Sequence, residues 1–153
     1  MKRTLSIAVI ATVVVLVAGL VAQARSTRGV SGSTLDVIEH ATTDKGVDIG
    51  AKGDSTGDLI TWHNDLFNSA DVSKVGRDQG ECFRISVAAG SWECSWINWV
   101  PGGSITVEGP FYDTKDSTLA ITGGTGNYAS AGGSMLLHSK NGGAEYDFLF
   151  TFS

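Results

Sequence analysis

The chain of 153 residues lacks most of the signals that announce a nucleic-acid-binding protein, a metalloprotein or a hydrolase. It has no run of basic residues, and its formal charge is −5. Such a chain repels phosphate backbones, which argues against nucleic acid as a partner, and it offers no basic patch to anionic lipid. Its three histidines, His40, His63 and His138, never come at metal-ligand spacing, so no metal and no cofactor are expected. No G-x-S-x-G elbow is present. The acidic turn from Tyr112 to Ser117 lacks the carboxylates and the glycine that a calcium loop needs at fixed offsets. Beyond the N-terminus there is no apolar stripe of 3.6-residue period, no internal repeat and no low-complexity tract, which leaves a helical bundle without support.

The N-terminus has an organisation of its own. Lys2 and Arg3 precede an almost wholly apolar run from Leu5 to Ala22, and Ala22-Gln23-Ala24 supplies small residues at cleavage positions. Residues 1–24 therefore read as a secretory signal peptide, and the mature protein as secreted with no membrane span. The alternative is an uncleaved membrane anchor, since the run approaches the length of a span. Cleavage leaves 129 residues, enough for one domain, and takes the formal charge to −7 by removing two basic residues. Residues 25–33, rich in Ser, Gly and Arg, read as a flexible leader, and 34–153 as the domain. The chain has only two cysteines, Cys82 and Cys94. In an exported protein an even pair favours a disulfide. If the segment between them is a hairpin turn, both side chains share a face. Two free thiols are the alternative.

What remains is a succession of short β-rich segments separated by Gly, Asp, Asn and Ser. Strands are expected at 34–40, 58–67, 80–88, 91–100, 104–109, 117–122 and 133–139. A last one closes the chain, where Tyr146, Phe148, Phe150 and Phe152 alternate with polar or small residues. About eight short strands at even spacing predict an antiparallel β-barrel or β-sandwich. A barrel of that size is either filled by its own side chains or holds one small ligand in a central cavity. "GGTGNYA", Gly123 to Ala129, has the G-x-G-x-x-A form of a dinucleotide-binding turn. That fingerprint works only where a helix follows, and Gly132 and Gly133 are poor helix residues. The glycines instead suit a tight connection between strands, or a close approach of two backbones.

Four blocks, "GDLITWHNDLF", "VGRDQGEC", "ITVEGPFYDTKDSTLAITGGTG" and "YASAGGSMLL", stand in the order and spacing of the allene oxide cyclase-like barrels, which the chain resembles from Gly57 to its C-terminus. The dirigent proteins share the VGR-x-QG and GGTG blocks. The resemblance implies an eight-stranded antiparallel barrel, a homotrimer, and a small hydrophobic ligand inside. The cyclases close a fatty-acid epoxide into a cyclopentenone, and the dirigents steer the coupling of phenoxy radicals or quinone methides. By the same resemblance Asn64 falls at an asparagine that positions water, Ile60 and Trp62 at apolar pocket positions, and Cys82 at a pocket cysteine. Phe111 falls where the cyclases have a tyrosine, so that hydroxyl is absent. A cavity lined by Ile60, Trp62, Asn64, Trp92 and Phe111 is expected, with Asn64 and Glu39 as candidate catalytic residues.

Parity gives Glu39 and Glu108 either an inward or an outward side chain. Inward, a carboxyl in an apolar cavity would be held protonated by desolvation and could act as a general acid. Three readings stay open at this point. One is an isomerase that steers ring closure, the second a non-catalytic binding module, and the third a filled barrel that works through its surface.

Overall fold

A computed structural model describes residues 29–153. The signal-peptide reading lies outside the described residues. Ten strands follow one another: β1 (Thr34–His40), β2 (Lys45–Val47), β3 (Leu59–Trp62), β4 (Asp65–Asn68), β5 (Lys74–Ser86), β6 (Ser91–Val100), β7 (Gly103–Tyr112), β8 (Ser117–Gly126), β9 (Gly133–Lys140) and β10 (Glu145–Phe152). There is no helix among the described residues, and so none long and apolar enough to cross a membrane.

The strands form one closed antiparallel barrel. The ladder runs β4–β1–β10–β9–β8–β7–β6, and β5 closes it by pairing with both β6 and β4. β3 and β4 lie end to end along β5 and count as a single stave, which gives eight. β2 adds a short edge outside β3. The single strand expected over 58–67 is interrupted at His63–Asn64. The ladder survives the interruption, because Asn64 and Asp78 exchange backbone hydrogen bonds of 3.1 and 2.9 Å.

Alternation decides which side chains fill the interior. Val37, Leu66, Trp96, Ile105, Val107, Leu119, Met135, Phe148 and Phe150 are buried in one contiguous core. β5 begins at Lys74, six residues before the expected start. Its inward positions include Asp78 and Gly80, a charge and a glycine where an apolar residue would signal a strand. Gly80 pairs with Trp96 across the ladder. A methyl group on Gly80 would collide with Trp96, so the glycine makes room for the indole.

One end of the barrel is shut. Tyr128 covers it, its ring 5.6 Å from that of Phe152, and its hydroxyl donates to the carbonyl of Pro101 at 3.3 Å. Val30, in the segment read as a leader, packs against this core. Gly32 N–H donates to Phe152 O at 2.9 Å, and Phe152 N–H to Ser33 O at 3.0 Å. The "GGTG" segment belongs to this end. It continues β8 as far as Gly126, and a turn, not a helix, follows. A Cβ on Gly124 would overlap the carbonyl oxygen of Ser104 and sit 2.7 Å from that of Tyr128. The glycine allows two stretches of backbone to approach.

Cys82 and Cys94 face each other across the β5–β6 ladder and form a disulfide, with Cα atoms 4.0 Å apart. The free-thiol alternative is thereby excluded.

Candidate active site

The opposite end holds a pocket of about 80 Å³. Five aromatic side chains border it: Trp62, Trp96, Phe111, Tyr146 and Phe148. Phe111 and Tyr146 meet edge to face at 6.0 Å, and Trp62 and Trp96 at 5.6 Å. Ile60, Leu137 and the Cys82–Cys94 bridge complete the apolar wall, and the polar contribution comes from Glu39 and Asp44. Among the described residues no lysine, arginine or histidine borders the pocket. Of the expected ligand-binding residues, Ile60, Trp62 and Phe111 stand at the pocket. Trp92 and Asn64 stand elsewhere.

Trp92 is engaged beside the rim. Its indole N–H donates to Asp113 at 2.8 Å, and the Arg84 guanidinium lies 3.9 Å from its ring centre. Arg84 is buried and forks onto Asp54 at 2.8 and 2.9 Å, with a further bond of 2.6 Å to Asp113. This cluster pins the β2–β3 loop and the β7–β8 turn to the end of the barrel.

Asn64 stands behind the pocket wall and is fully buried. Its amide donates to Glu39 and to Asp44, both at 2.8 Å. Its oxygen accepts from Thr42 N–H at 3.1 Å and from Thr43 N–H and hydroxyl at 2.9 Å each. Every polar atom of the amide is therefore used, and its orientation is fixed by its partners.

Glu39 points inward, as Val37 does two residues earlier, and is 5% exposed. Glu108 points outward and is exposed. Burial is the main reason the Glu39 carboxyl is pushed well above its ordinary range, and the charge of Asp78 adds to it. The Asp78 carboxyl stands beside that of Glu39 and is completely buried. It accepts from Trp62 Nε1 at 3.3 Å and from Asn64 N–H at 3.2 Å. Burial raises it to about 6, against the pull of those hydrogen bonds. Two adjacent buried carboxyls cannot both ionise cheaply. The contact between them raises Glu39 and lowers Asp78, so a shared proton favours Glu39.

Asp78 was not among the candidates drawn from the sequence. It stands in the "VGRDQG" block, four residues before Cys82. Once Cys82 is taken as inward, alternation puts Asp78 inward too. Tyr146 was read only as a core aromatic. It borders the pocket edge to face with Phe111, and burial raises its phenol. The indole N–H of Trp96 is buried with no partner among the described residues. On the outer surface His40, Asp71 and Glu145 each bring one ligand atom within 4.8 Å of the others. His40 Nε2 already bonds Asp71 at 2.7 Å and its ring stacks on Phe67, an arrangement that an ordinary surface ion pair explains.

No protein-family model matches the chain, and no curated protein matches it in sequence. Solved structures do match. A pyocyanin demethylase superposes with a TM-score of 0.65 at 26% identity, over 76% of this chain and 99% of the other. A pterocarpan synthase dirigent protein, GePTS1, gives 0.63 at 17% identity, over 76% and 82%. The Diels–Alderase AbmU from Streptomyces koyangensis gives 0.62 at 18% identity, over 76% and 67%. The chain is thus built on a barrel shared with dirigent proteins and Diels–Alderases.

Proposed function

We propose that the barrel takes a small, flat, apolar molecule at its open end, one that is neutral or cationic, and that Glu39 meets it as a proton donor. The observation that carries this reading is the composition of the wall. Five aromatic side chains and two carboxyl groups border the pocket, and among the described residues no cationic side chain does. Aromatic faces attract cations and electron-poor rings. A carboxylate ligand, such as a fatty acid, would meet the charge of Asp44 with no cation among the described residues to offset it. The substrate class that the allene oxide cyclase resemblance implies is therefore disfavoured here.

The reaction that suits such a site is an isomerisation or ring closure steered by shape. The reactant is held in a near-attack conformer while a protonated carboxyl polarises an oxygen or nitrogen on it. The fold neighbours that act as dirigent protein and Diels–Alderase support a ring-forming role, and the demethylase supports a small-molecule substrate. Asn64 then acts as a positioning residue for Glu39. The test is turnover of a panel of conjugated polyenes and unsaturated epoxides by the purified protein. Glu39→Gln is expected to abolish turnover while ligand still binds. Unchanged activity in Glu39→Gln and Asn64→Ala contradicts the catalytic reading.

A second reading, a non-catalytic binding module, is favoured by the small pocket of about 80 Å³, since ligand sites commonly run to roughly 300 Å³ and more. Enantioselective turnover of any member of the same panel would contradict it. The disulfide and the N-terminal apolar run support export of the mature chain as a secreted protein, which the mass of the mature protein tests. A homotrimer, implied by the family resemblance, is tested by native mass spectrometry.

A further inference from the structure

The pocket shares a wall with a second cavity. On the flank of the barrel, beside the β3–β4 interruption, a polar crevice of about 160 Å³ is bordered by Thr42, Thr43, His63, Arg77 and Asp78 among others. At roughly 30 Å³ of liquid volume for each molecule, it has room for about five waters. Glu39 borders the pocket and not the crevice, and Asp78 borders the crevice and not the pocket. Asn64 holds both in that wall, its amide donating to Glu39 at 2.8 Å and its backbone N–H to Asp78 at 3.2 Å.

We propose that Glu39 exchanges its proton with solvent from behind, through Asp78 and the flank crevice, and not through the mouth that a ligand would occupy. In the outward direction the Glu39 O–H bond breaks and the proton lands on the Asp78 carboxylate. Asp78 then gives a proton to a water in the crevice, forming hydronium that bulk solvent carries away. Reloading runs the same steps in reverse, so the pair ends with the proton it began with. The arrangement solves a specific difficulty. A ligand in the mouth excludes water, and an acid reached only from that side would stay spent until the ligand left.

The surroundings support the direction. Glu39 faces Asp78 from β5, Asn64 from the β3–β4 junction, Asp44 from the β1–β2 segment and Tyr146 from β10. Asp44 and Tyr146 stand on the pocket side. Asp78 faces Glu39, the indole of Trp62 and the backbone of Asn64, with His63, Arg77 and Asp65 beyond it around the crevice. Burial raises both carboxyls, Asp78 to about 6 and Glu39 in the same direction, and the contact between them favours the proton on Glu39.

The inference rests on Glu39 as the acid of the pocket, but its test needs no ligand and no turnover. The readout is the infrared C=O band of protonated Glu39, assigned by its loss in Glu39→Gln, followed after rapid mixing into D2O at about pH 7. Ile60→Trp fills the pocket and closes the mouth. The deuteration rate in Ile60→Trp is expected to stay within about threefold of the parent chain, and to fall at least about tenfold when Asp78→Asn is added. Thr42→Phe, which narrows the crevice and leaves both carboxyls in place, is expected to slow exchange in the same background. It decides the matter if the Asp78 variant does not fold. Slow exchange in Ile60→Trp alone, or fast exchange after Asp78→Asn or Thr42→Phe is added to it, overturns the route. Failure of any ligand to bind would leave this exchange result unaffected, so the two readings fail separately.

Discussion

The amide of Asn64 donates to the carboxyl of Glu39 across 2.8 Å, joining residues 25 positions apart in the chain. The same amide nitrogen holds Asp44, while its oxygen takes two backbone N–H groups and a hydroxyl. Asn64→Ala leaves those donors without a partner in a buried place, at a cost of about 2–4 kcal/mol. It also removes the one hydrogen bond that favours the ionised form of Glu39. The Glu39 carboxyl is then expected to titrate higher still. Urea denaturation measures the first effect, and carboxyl-carbon NMR of labelled glutamate measures the second.

Stability should carry the mark of the carboxyl pair. The folded state raises Asp78 from 3.8 to about 6 and Glu39 in the same direction, so it binds more protons than the unfolded chain in that window. Stability is therefore intact below about pH 4 and is lost as the pH rises through 6. For Asp78 alone the loss is of the order of 2–3 kcal/mol. Asp78→Asn removes this dependence. Relative to the parent chain, the variant is expected to gain melting temperature steadily between pH 4 and 7. A constant difference across that range would contradict the pairing.

Arg84 holds the β2–β3 loop at the open end through Asp54. Its own side chain is 7% exposed, but those of Asp54 and Asp113 are 49% and 36% exposed, so water screens the partners. Arg84→Met is expected to cost about 2 kcal/mol, less than breaking a fully buried pair. The larger effect should be local. Limited proteolysis is expected to cut between Asp48 and Asp58 in the variant and not in the parent chain. Arg84→Lys should behave like Arg84→Met, because an ammonium cannot reproduce the fork.

The glycine-rich stretch of β8 offers a clean steric test. Gly124→Ala forces a methyl group against two carbonyl oxygens and is expected to destabilise by about 2 kcal/mol or more. Gly46→Ala has open space around its added carbon and no unusual backbone angle, and is expected to change stability by less than about 0.5 kcal/mol. Thermal unfolding of the two variants side by side checks the pair.

The barrel was legible because its apolar residues alternate in plain view, most clearly at Tyr146, Phe148, Phe150 and Phe152. Those of β5 were not. Asp78, Gly80 and Arg84 occupy inward positions, so the period that marks a strand is broken where the polar site is built. Parity could place Ile60, Trp62 and Asn64 on one side, but not say that Asn64 spends its whole amide inside the wall. Trp92 counted as a lining residue on the strength of its ring. Only the arrangement in space shows that Arg84 and Asp113 claim that ring. The disulfide follows from an even pair of cysteines in a chain read as exported, and Asp78 becomes visible only once Cys82 fixes which side faces in.

The chemistry of the pocket wall is tested most directly by one titration. Quinoline, N-methylquinolinium and 2-naphthoate have similar size and differ in charge, and each can be followed by quenching of tryptophan fluorescence. Quinoline and N-methylquinolinium are expected to bind at least about tenfold more tightly than 2-naphthoate, because the anion meets Asp44 with no cation to offset it. Phe111→Trp, which fills the mouth, is expected to abolish that binding. Equal or tighter binding of 2-naphthoate, or binding that survives Phe111→Trp, would contradict a pocket built for neutral or cationic aromatic molecules.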